Sequence, residues 1–181
     1  RGGSGATETD VLLTGYALRA PSASSVKEFY DGLRGKCDMT TEATRYPPGT
    51  RGLPPRAGVL ADVERFDNAF FNMNVKQTEK TDIIIRMLLE VTHEALLDAR
   101  LRIPELRGSR TGVYIGHCFS DYLCRATRDE TLTGYELVNG AHAMAANRIS
   151  FFYDFRGPSL VIDTACSSSI VALDMARRVP P

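Results

Sequence analysis

An excess of charge of either sign is missing from this sequence, in which 22 Lys and Arg residues balance 22 Asp and Glu residues. No general field therefore attracts nucleic-acid phosphates, and a nucleic-acid partner is not expected. The sequence also lacks an apolar run long enough to span a bilayer, and no cleavable signal precedes its first predicted strand. These absences predict a cytoplasmic protein with no membrane partner.

Cysteine is scarce and irregularly spaced. The four cysteines, Cys37, Cys118, Cys124 and Cys166, form no disulfide framework, so reduced thiols in a reducing compartment are predicted. His117 and Cys118 together with Cys124 suggest a metal site at first sight. Their spacing matches no familiar zinc pattern and a fourth ligand is not evident, so no metal is expected.

What the sequence does contain is an alternation of short apolar strands and periodic helices. Strands and helices are predicted in this order: a strand over 11–16, a helix over 26–34, a helix from Thr81 or Asp82 to Ala99, a strand over 111–116, a helix over 139–149, a strand over 159–163 and a helix from about Ser167. Residues 1–10 are predicted to be a flexible flank, and the Pro- and Gly-rich residues 40–62 an irregular excursion. Strands that alternate with helices indicate an α/β architecture with a buried sheet.

Two predicted helices show which side chains should face the core. The long helix has an apolar face made of Ile84, Met87, Leu88, Val91, Ala95 and Leu96. The last helix is apolar nearly all round, from Ile170 to Met175, which predicts a buried helix that holds the preceding residues rigidly.

Cys166 follows the predicted strand 159–163 after a two-residue turn, at or near the first turn of the last helix. Free N–H groups and partial positive charge at a helix N-terminus favour the thiolate form of a cysteine, which is the nucleophilic form. The same amides can hydrogen-bond an oxyanion. An isolated cysteine after an apolar strand is more often a small buried hydrophobic residue, so position alone leaves both interpretations open.

The sequence around this cysteine resembles a known family. Residues 163–169 (DTACSSS) are similar to the active-site signature of the β-ketoacyl synthases of multidomain fatty acid and polyketide synthases. The resemblance extends to residues 107–116 (RGSRTGVYIG), 146–159 (ANRISFFYDFRGPS) and 86–91 (RMLLEV). It implies a thiolase-like αβαβα layered fold, of which residues 11–181 are the N-terminal half, truncated after the nucleophile.

The resemblance also implies a mechanism. Cys166 would take an acyl group from a phosphopantetheine thioester on an acyl carrier protein, with its backbone N–H as one oxyanion donor. Malonyl carrier protein would then lose carbon dioxide, and its carbanion would attack the thioester to give a 3-oxoacyl chain two carbons longer. The resemblance implies no metal and no bound cofactor, and it implies a homodimer.

The sequence departs from the family pattern in its histidines and around its long helix. Two histidines of the family belong to the C-terminal half of its domain, and His93, His117 and His142 match neither, so each is interpreted as an ordinary helix or loop histidine. The long helix begins Thr-Asp-Ile-Ile where the family usually has Met-Asp-Pro-Gln. Asn72 stands in place of a usual Gly, a mild change because Asn tolerates a left-handed backbone. These differences leave a divergent or inactive copy open.

Several functions compete for this sequence. Residues 52–54 (GLP), 132–135 (LTGY) and 151–155 (FFYDF) look most like the animal type I fatty acid synthase, and a polyketide synthase ketosynthase is the nearest alternative. A non-catalytic ketosynthase-like scaffold or dimerisation fragment is another. A papain-like hydrolase is rejected because its cysteine context and Trp are absent, and a serine hydrolase because no Gly-x-Ser-x-Gly elbow occurs.

Overall fold

The structure is a computed structural model that describes residues 11–42, 47, 49–120, 122, 128 and 134–179. The predicted flexible flank at residues 1–10 and the cysteine at position 124 lie outside the described residues. Within those ranges, no helix is both long and apolar enough to cross a membrane.

The described helices and strands follow the order that the sequence predicts over most of the chain. They are α1 (Val26–Arg34), β1 (Thr41–Glu42), β2 (Arg56–Ala57), α2 (Val75–Glu79), α3 (Ile83–Asp98), α4 (Ile103–Leu106), β3 (Val113–Gly116), α5 (Gly134–Gly140), α6 (Met144–Tyr153), β4 (Ser159–Ile162) and α7 (Ser168–Arg178). Short 3₁₀ turns lie at Thr50–Gly52 and Ala165–Ser167.

Strands β3 and β4 form the parallel pair on which the site is built. Val113 lies opposite Ser159, and Gly116 lies opposite Ile162, so both strands end at the same edge. Helices α6 and α7 pack on this pair, and α3 packs on α6. The predicted α/β arrangement is confirmed here, because a parallel pair requires a long crossover and helices supply it.

The predicted strand over 11–16 is wrong. A strand needs a neighbour to accept and donate its backbone hydrogen bonds, and no described strand pairs with this segment. It runs instead along α3, where the Tyr16 N–H donates to Asp98 Oδ2 at 3.0 Å. Gly15 lies so close to the backbone of α3 that a Cβ there would be 2.4 Å from the Ala95 carbonyl oxygen. The apolar residues before it are exposed, namely Val11, Leu12 and Leu13.

Helix α3 has the predicted extent but a different buried face. Asp82 caps it by accepting from the Ile84 N–H at 2.9 Å. The fully buried helix residues are Ile85 and Leu89, and neither belongs to the predicted apolar face, which is partly exposed. The reason is that α3 has neighbours on two sides. It packs on α6 along one side, and the segment before α1 lies along another. Its apolar residues therefore do not all face the same part of the core.

The single helix predicted over 139–149 is two helices. Asn139 directs its carbonyl at the Asp82 N–H, 3.5 Å away, instead of continuing a helical ladder. The break is a tight turn in which the Met144 N–H donates to the Ala141 carbonyl at 2.9 Å. Helix α6 then restarts and buries Ala145, Ala146, Ile149 and Tyr153.

The core lies where α3, α6 and β3 meet an aromatic turn. Phe66 and Phe71 stack with their ring centroids 5.0 Å apart, and Phe66 packs against the buried core to which Phe71 belongs. The buried cluster consists of Phe71, Met73, Leu89, Val113, Ala146, Ile149, Tyr153 and Phe155. This cluster fixes α6 against β3 and thereby fixes the end of β4 next to it.

Candidate active site

The site is the turn that follows β4. The chain leaves the sheet at Asp163, makes one 3₁₀ turn over Ala165–Ser167 and continues as α7. Cys166 lies in the middle of this turn and is exposed. The predicted position of Cys166 between a strand and the first turn of a helix is therefore confirmed, and the interpretation as a buried hydrophobic residue is wrong.

Side chains of the turn hold its backbone. Asp163 Oδ1 accepts from the Ala165 N–H at 3.1 Å. The buried Ser168 hydroxyl accepts from the Thr164 N–H at 3.0 Å and donates to the Ala165 carbonyl at 2.6 Å. Ser167 Oγ donates to the Thr164 carbonyl at 2.8 Å. The polar side chains around Cys166 thus provide hydrogen-bond partners for backbone groups of the turn on both sides of it.

The residue before Cys166 adopts a left-handed backbone conformation. Ala165 has φ of +54°, a region that costs an L-residue other than glycine roughly 1–2 kcal/mol. Nothing in the sequence signals this conformation, because alanine is not a residue that favours it. Strain of this kind persists where surrounding contacts impose it, and such residues cluster at functional sites.

The backbone amide of Cys166 is free. Across the described residues its N–H makes no hydrogen bond, although the amides of Ala165 and Ser167 are both bonded. A free N–H beside the thiol can donate to an oxygen that gains negative charge when the thiol attacks a carbonyl. The expected oxyanion donor is therefore available in this conformation.

The end of β3 packs directly on the first turn of α7. A Cβ added at Gly116 would lie 2.5 Å from the Ser169 nitrogen and 2.6 Å from the Ser168 carbonyl carbon. Only a residue without a side chain allows the strand to approach this closely. The position of the turn that carries Cys166 therefore depends on Gly116.

Helix α7 is half exposed, so the predicted buried helix is wrong. Ser168 and Ala172 are buried, and Ile170, Leu173 and Met175 are exposed. One face of α7 packs on β3 and β4, and its other apolar face is not covered by the described residues. The contacts that position Cys166 are therefore those of the turn and of the sheet, and not burial of α7 on all sides.

His117 and His142 come together although the sequence offered no reason to pair them. His117 follows β3, and its backbone N–H donates to the Ile162 carbonyl at 3.1 Å. His142 lies in the turn between α5 and α6, and the two ring centroids are 4.6 Å apart. Burial lowers the pKa of His117 and His142 lowers it further, while the carboxylates of Asp82 and Asp163 oppose the shift.

The third histidine has a structural role. His93 lies in α3, and its Nδ1 is 3.1 Å from the hydroxyl of the buried Tyr153. Its ring also packs edge-on against Phe70. The interpretation of His93 as an ordinary helix histidine agrees with these contacts.

The other described cysteines lie away from this turn in sequence. Cys37 follows α1 and is exposed, and Cys118 follows His117 and is partly buried. Both are free thiols. Across the described ranges, no group of three or more His, Cys, Asp or Glu side chains is arranged to hold a metal ion. Cys166 and Cys37 are both exposed, so exposure alone does not distinguish them. What distinguishes Cys166 is its position in the turn between β4 and α7.

The two departures from the family pattern have little effect on the backbone. Asn72 has φ of +51°, which confirms that it occupies a left-handed position. Helix α3 begins at Ile83 without the usual Pro, because the Asp82 carboxylate caps it. Asp82 Oδ2 also accepts from Ser120 Oγ at 2.7 Å, so the cap ties α3 to the loop after β3.

A family model matches almost the whole chain. Residues 8–179 match the model described as "Beta-ketoacyl synthase, N-terminal domain". The chain belongs to the β-ketoacyl synthase family. The family resemblance of the sequence around Cys166 is thereby confirmed.

Curated β-ketoacyl synthase relatives include both fatty acid and polyketide synthases. The fatty acid synthase of Anser anser anser is 46% identical over 171 residues, which cover 93% of this chain and 49% of the relative. The lovastatin nonaketide synthase of Monascus pilosus is 47% identical over 181 residues, which cover 92% of this chain and 6% of the relative. The chain thus spans half or less of the length of these relatives.

Solved ketosynthase domains share the fold. The oxazolomycin ketosynthase domain from Streptomyces albus has a TM-score of 0.79 and 32% identity, covering 92% of this chain and 31% of that domain chain. The ketosynthase from module 6 of the bacillaene synthase from Bacillus subtilis has a TM-score of 0.74 and 32% identity, covering 91% and 27%. The predicted thiolase-like αβαβα fold is confirmed, and this chain is an N-terminal portion of it.

Proposed function

We propose that Cys166 is the acyl-accepting nucleophile of a β-ketoacyl-[acyl-carrier-protein] synthase. The observation that supports this most directly is the combination of an exposed thiol and a free backbone N–H in one strained turn at the end of β4. Membership of a family of acyl-transferring condensing enzymes supplies the reaction class.

The proposed first step is a thioester exchange. The Cys166 sulfur attacks the carbonyl carbon of an acyl group carried on phosphopantetheine, and the Cys166 N–H donates to the carbonyl oxygen as that oxygen gains charge. The bond to the pantetheine sulfur then breaks, and that sulfur receives the proton that Cys166 gave up. The acyl chain is left as a thioester on Cys166.

The second step forms the carbon–carbon bond. Malonyl carrier protein loses carbon dioxide, and the resulting carbanion attacks the carbonyl carbon of the Cys166 thioester. The bond from that carbon to the Cys166 sulfur then breaks, which frees the Cys166 thiolate and releases a 3-oxoacyl carrier protein. In the family resemblance, two histidines of the C-terminal half assist this step, and His93, His117 and His142 match neither of them. We therefore expect the 181-residue chain to accept an acyl group without completing the condensation, as measured by carbon dioxide release and 3-oxoacyl product.

We further propose a fatty acid rather than a polyketide product. The identities of 46% and 47% to the two kinds of relative do not separate them, so the preference rests on the motifs at 52–54, 132–135 and 151–155. The test is the product that the protein carrying this chain makes from acetyl and malonyl thioesters with a nicotinamide reductant. A fully saturated chain supports the proposal, and a partly reduced polyketide contradicts it.

The proposed partners are an acyl carrier protein domain and a second copy of the protein. Acyl and malonyl groups arrive as thioesters, so a carrier must reach the exposed thiol of Cys166. A homodimer is proposed because the strand predicted over 159–163 resembles the strand near the dimer interface of the family. That strand keeps the apolar Leu160 exposed, as an interface residue in a separate chain would be.

Selective alkylation tests the nucleophile. Iodoacetamide at limiting concentration should label Cys166 faster than Cys37, a matched control because both thiols are exposed. Mass spectrometry of the peptides reports the ratio, and Cys166→Ala should abolish the fast phase. Equal labelling of the two, or labelling of Cys118 with Cys166 untouched, would support a non-catalytic scaffold instead.

A further inference from the structure

The rings of His117 and His142 form a pair that the acyl-transfer steps do not use. Their centroids lie 4.6 Å apart and their planes are inclined by 39°. Both residues are partly buried, and within the described part of the chain no ring nitrogen of either has a hydrogen bond. Two adjacent imidazoles with unbonded nitrogens offer two lone pairs to one ligand.

The geometry of the pair fits two bonds to one metal ion. An ion roughly 2.0–2.1 Å from one nitrogen of each ring, with the bonds at roughly 90–110°, puts the centroids about 4.5–5.2 Å apart. The observed separation of 4.6 Å lies within that range. Binding requires rotation about the side-chain torsions to turn one nitrogen of each ring toward the ion, and the torsions of partly exposed side chains can rotate in this way.

The surroundings of the pair favour a cation. The carboxylates of Asp82 and Asp163 lie close enough to act on His117, and each is held in place by a hydrogen bond, from Ser120 to Asp82 and from the Ala165 N–H to Asp163. Negative charge held near neutral nitrogen ligands attracts a divalent ion.

We propose that His117 and His142 bind a divalent transition metal ion such as Zn²⁺ through one nitrogen of each ring. Imidazole is a preferred ligand of Zn²⁺, Cu²⁺ and Ni²⁺. The described residues offer no third protein ligand, so water completes the coordination and the ion exchanges. This site differs from the combination of His117 with Cys118 that the sequence suggested, because His142 comes from a separate turn.

The test uses the fact that the sequence contains three histidines. The full chain is labelled with ¹⁵N-histidine, and the ring nitrogens are followed by NMR while Zn²⁺ is added. Cysteine thiolates also bind Zn²⁺, so each labelled protein contains the four substitutions Cys37→Ser, Cys118→Ser, Cys124→Ser and Cys166→Ser. A parallel sample, in which the native cysteines are kept and alkylated by iodoacetamide, is the control for these substitutions. It should give the same response of the histidine nitrogens to Zn²⁺.

We expect the His117 and His142 nitrogens to shift together up to one equivalent of Zn²⁺, while those of His93, bonded to Tyr153, stay unchanged. In His142→Asn, the shift of His117 should require at least about tenfold more Zn²⁺, and His117→Asn should have the same effect on His142. An equal shift of His93, or a response of His117 that is unaffected by His142→Asn, overturns the proposal. Unchanged amide spectra of the variants without Zn²⁺ exclude loss of folding as the cause.

Discussion

Gly116, the last residue of β3, lies against the backbone of Ser169 in the first turn of α7, so closely that a Cβ would stand 2.5 Å from the Ser169 nitrogen. The parallel register sets this contact, since Gly116 is opposite Ile162 and the chain turns toward Cys166 directly afterwards. A strand end and a helix start are thus locked together on either side of the proposed nucleophile.

Replacing this glycine should displace the nucleophile. Gly116→Ala forces the backbone of α7 to move, which we expect to cost about 1–3 kcal/mol of unfolding free energy and to slow acylation of Cys166 roughly 100-fold. Gly134→Ala is the matched control, because a Cβ there meets nothing within 4 Å. Chemical denaturation and acylation rates measure the two effects, and equal behaviour of both variants would contradict the account.

Ser168 should stabilise the turn far more than its neighbour Ser169. The Ser168 hydroxyl is buried and bonds both the Thr164 N–H and the Ala165 carbonyl, so Ser168→Ala leaves two backbone groups without that partner and should cost about 1–3 kcal/mol. The exposed Ser169 gives the control, and Ser169→Ala should stay within about 0.5 kcal/mol. Urea denaturation of the two variants decides whether the hydroxyl holds the turn.

The left-handed conformation of Ala165 predicts that two substitutions at this position differ in their effect on stability. Ala165→Val places a β-branched side chain at φ of +54° and should lower the unfolding free energy by about 1–2 kcal/mol or more. Ala165→Gly removes the strain and should be close to neutral, because glycine adopts this region readily. Equal destabilisation by both, measured by thermal unfolding, would show that the turn is not held in this conformation.

Tyr153 should make stability fall at high pH. Burial raises the pKa of Tyr153 to about 12 from 10.0, so the folded state keeps the phenol proton that the unfolded state loses above pH 10. The stabilisation is therefore complete below pH 10 and is lost as the pH rises toward 12. Tyr153→Phe should reduce this dependence, leaving the part that comes from Tyr122, whose pKa is also raised by burial, and it removes the contact with His93, whereas Phe replacing the exposed Tyr135 should leave the dependence unchanged. Denaturation at pH 8–11.5 measures the difference.

The sequence was sufficient for the strand-to-helix position of Cys166 and for the extent of α3, because apolar periodicity and an Asp cap are local signals. The sequence was insufficient for the segment over 11–16. Its apolar residues predict a strand, but no described strand pairs with it. The break between α5 and α6 was missed because the Asn139 carbonyl bonds Asp82, which is distant in sequence.

The site shows the same division between local and distant determinants. Cys166 and the serines after it form a contiguous motif, so the family resemblance found them. The pairing of His117 with His142 depends on the register of β3 and on the turn between two helices. The strain at Ala165 has no residue signature, because it is imposed by Asp163 and Ser168 acting on the backbone.

The most direct test of the account is transfer of an acyl group from an acyl-phosphopantetheine thioester to the chain, followed by mass spectrometry of its cysteine peptides. The account predicts a hydroxylamine-sensitive acyl adduct on Cys166 that is absent from Cys166→Ala and retained in Cys37→Ala. An adduct on Cys37 or Cys118 with Cys166 unmodified, or an adduct that persists in Cys166→Ala, would contradict it.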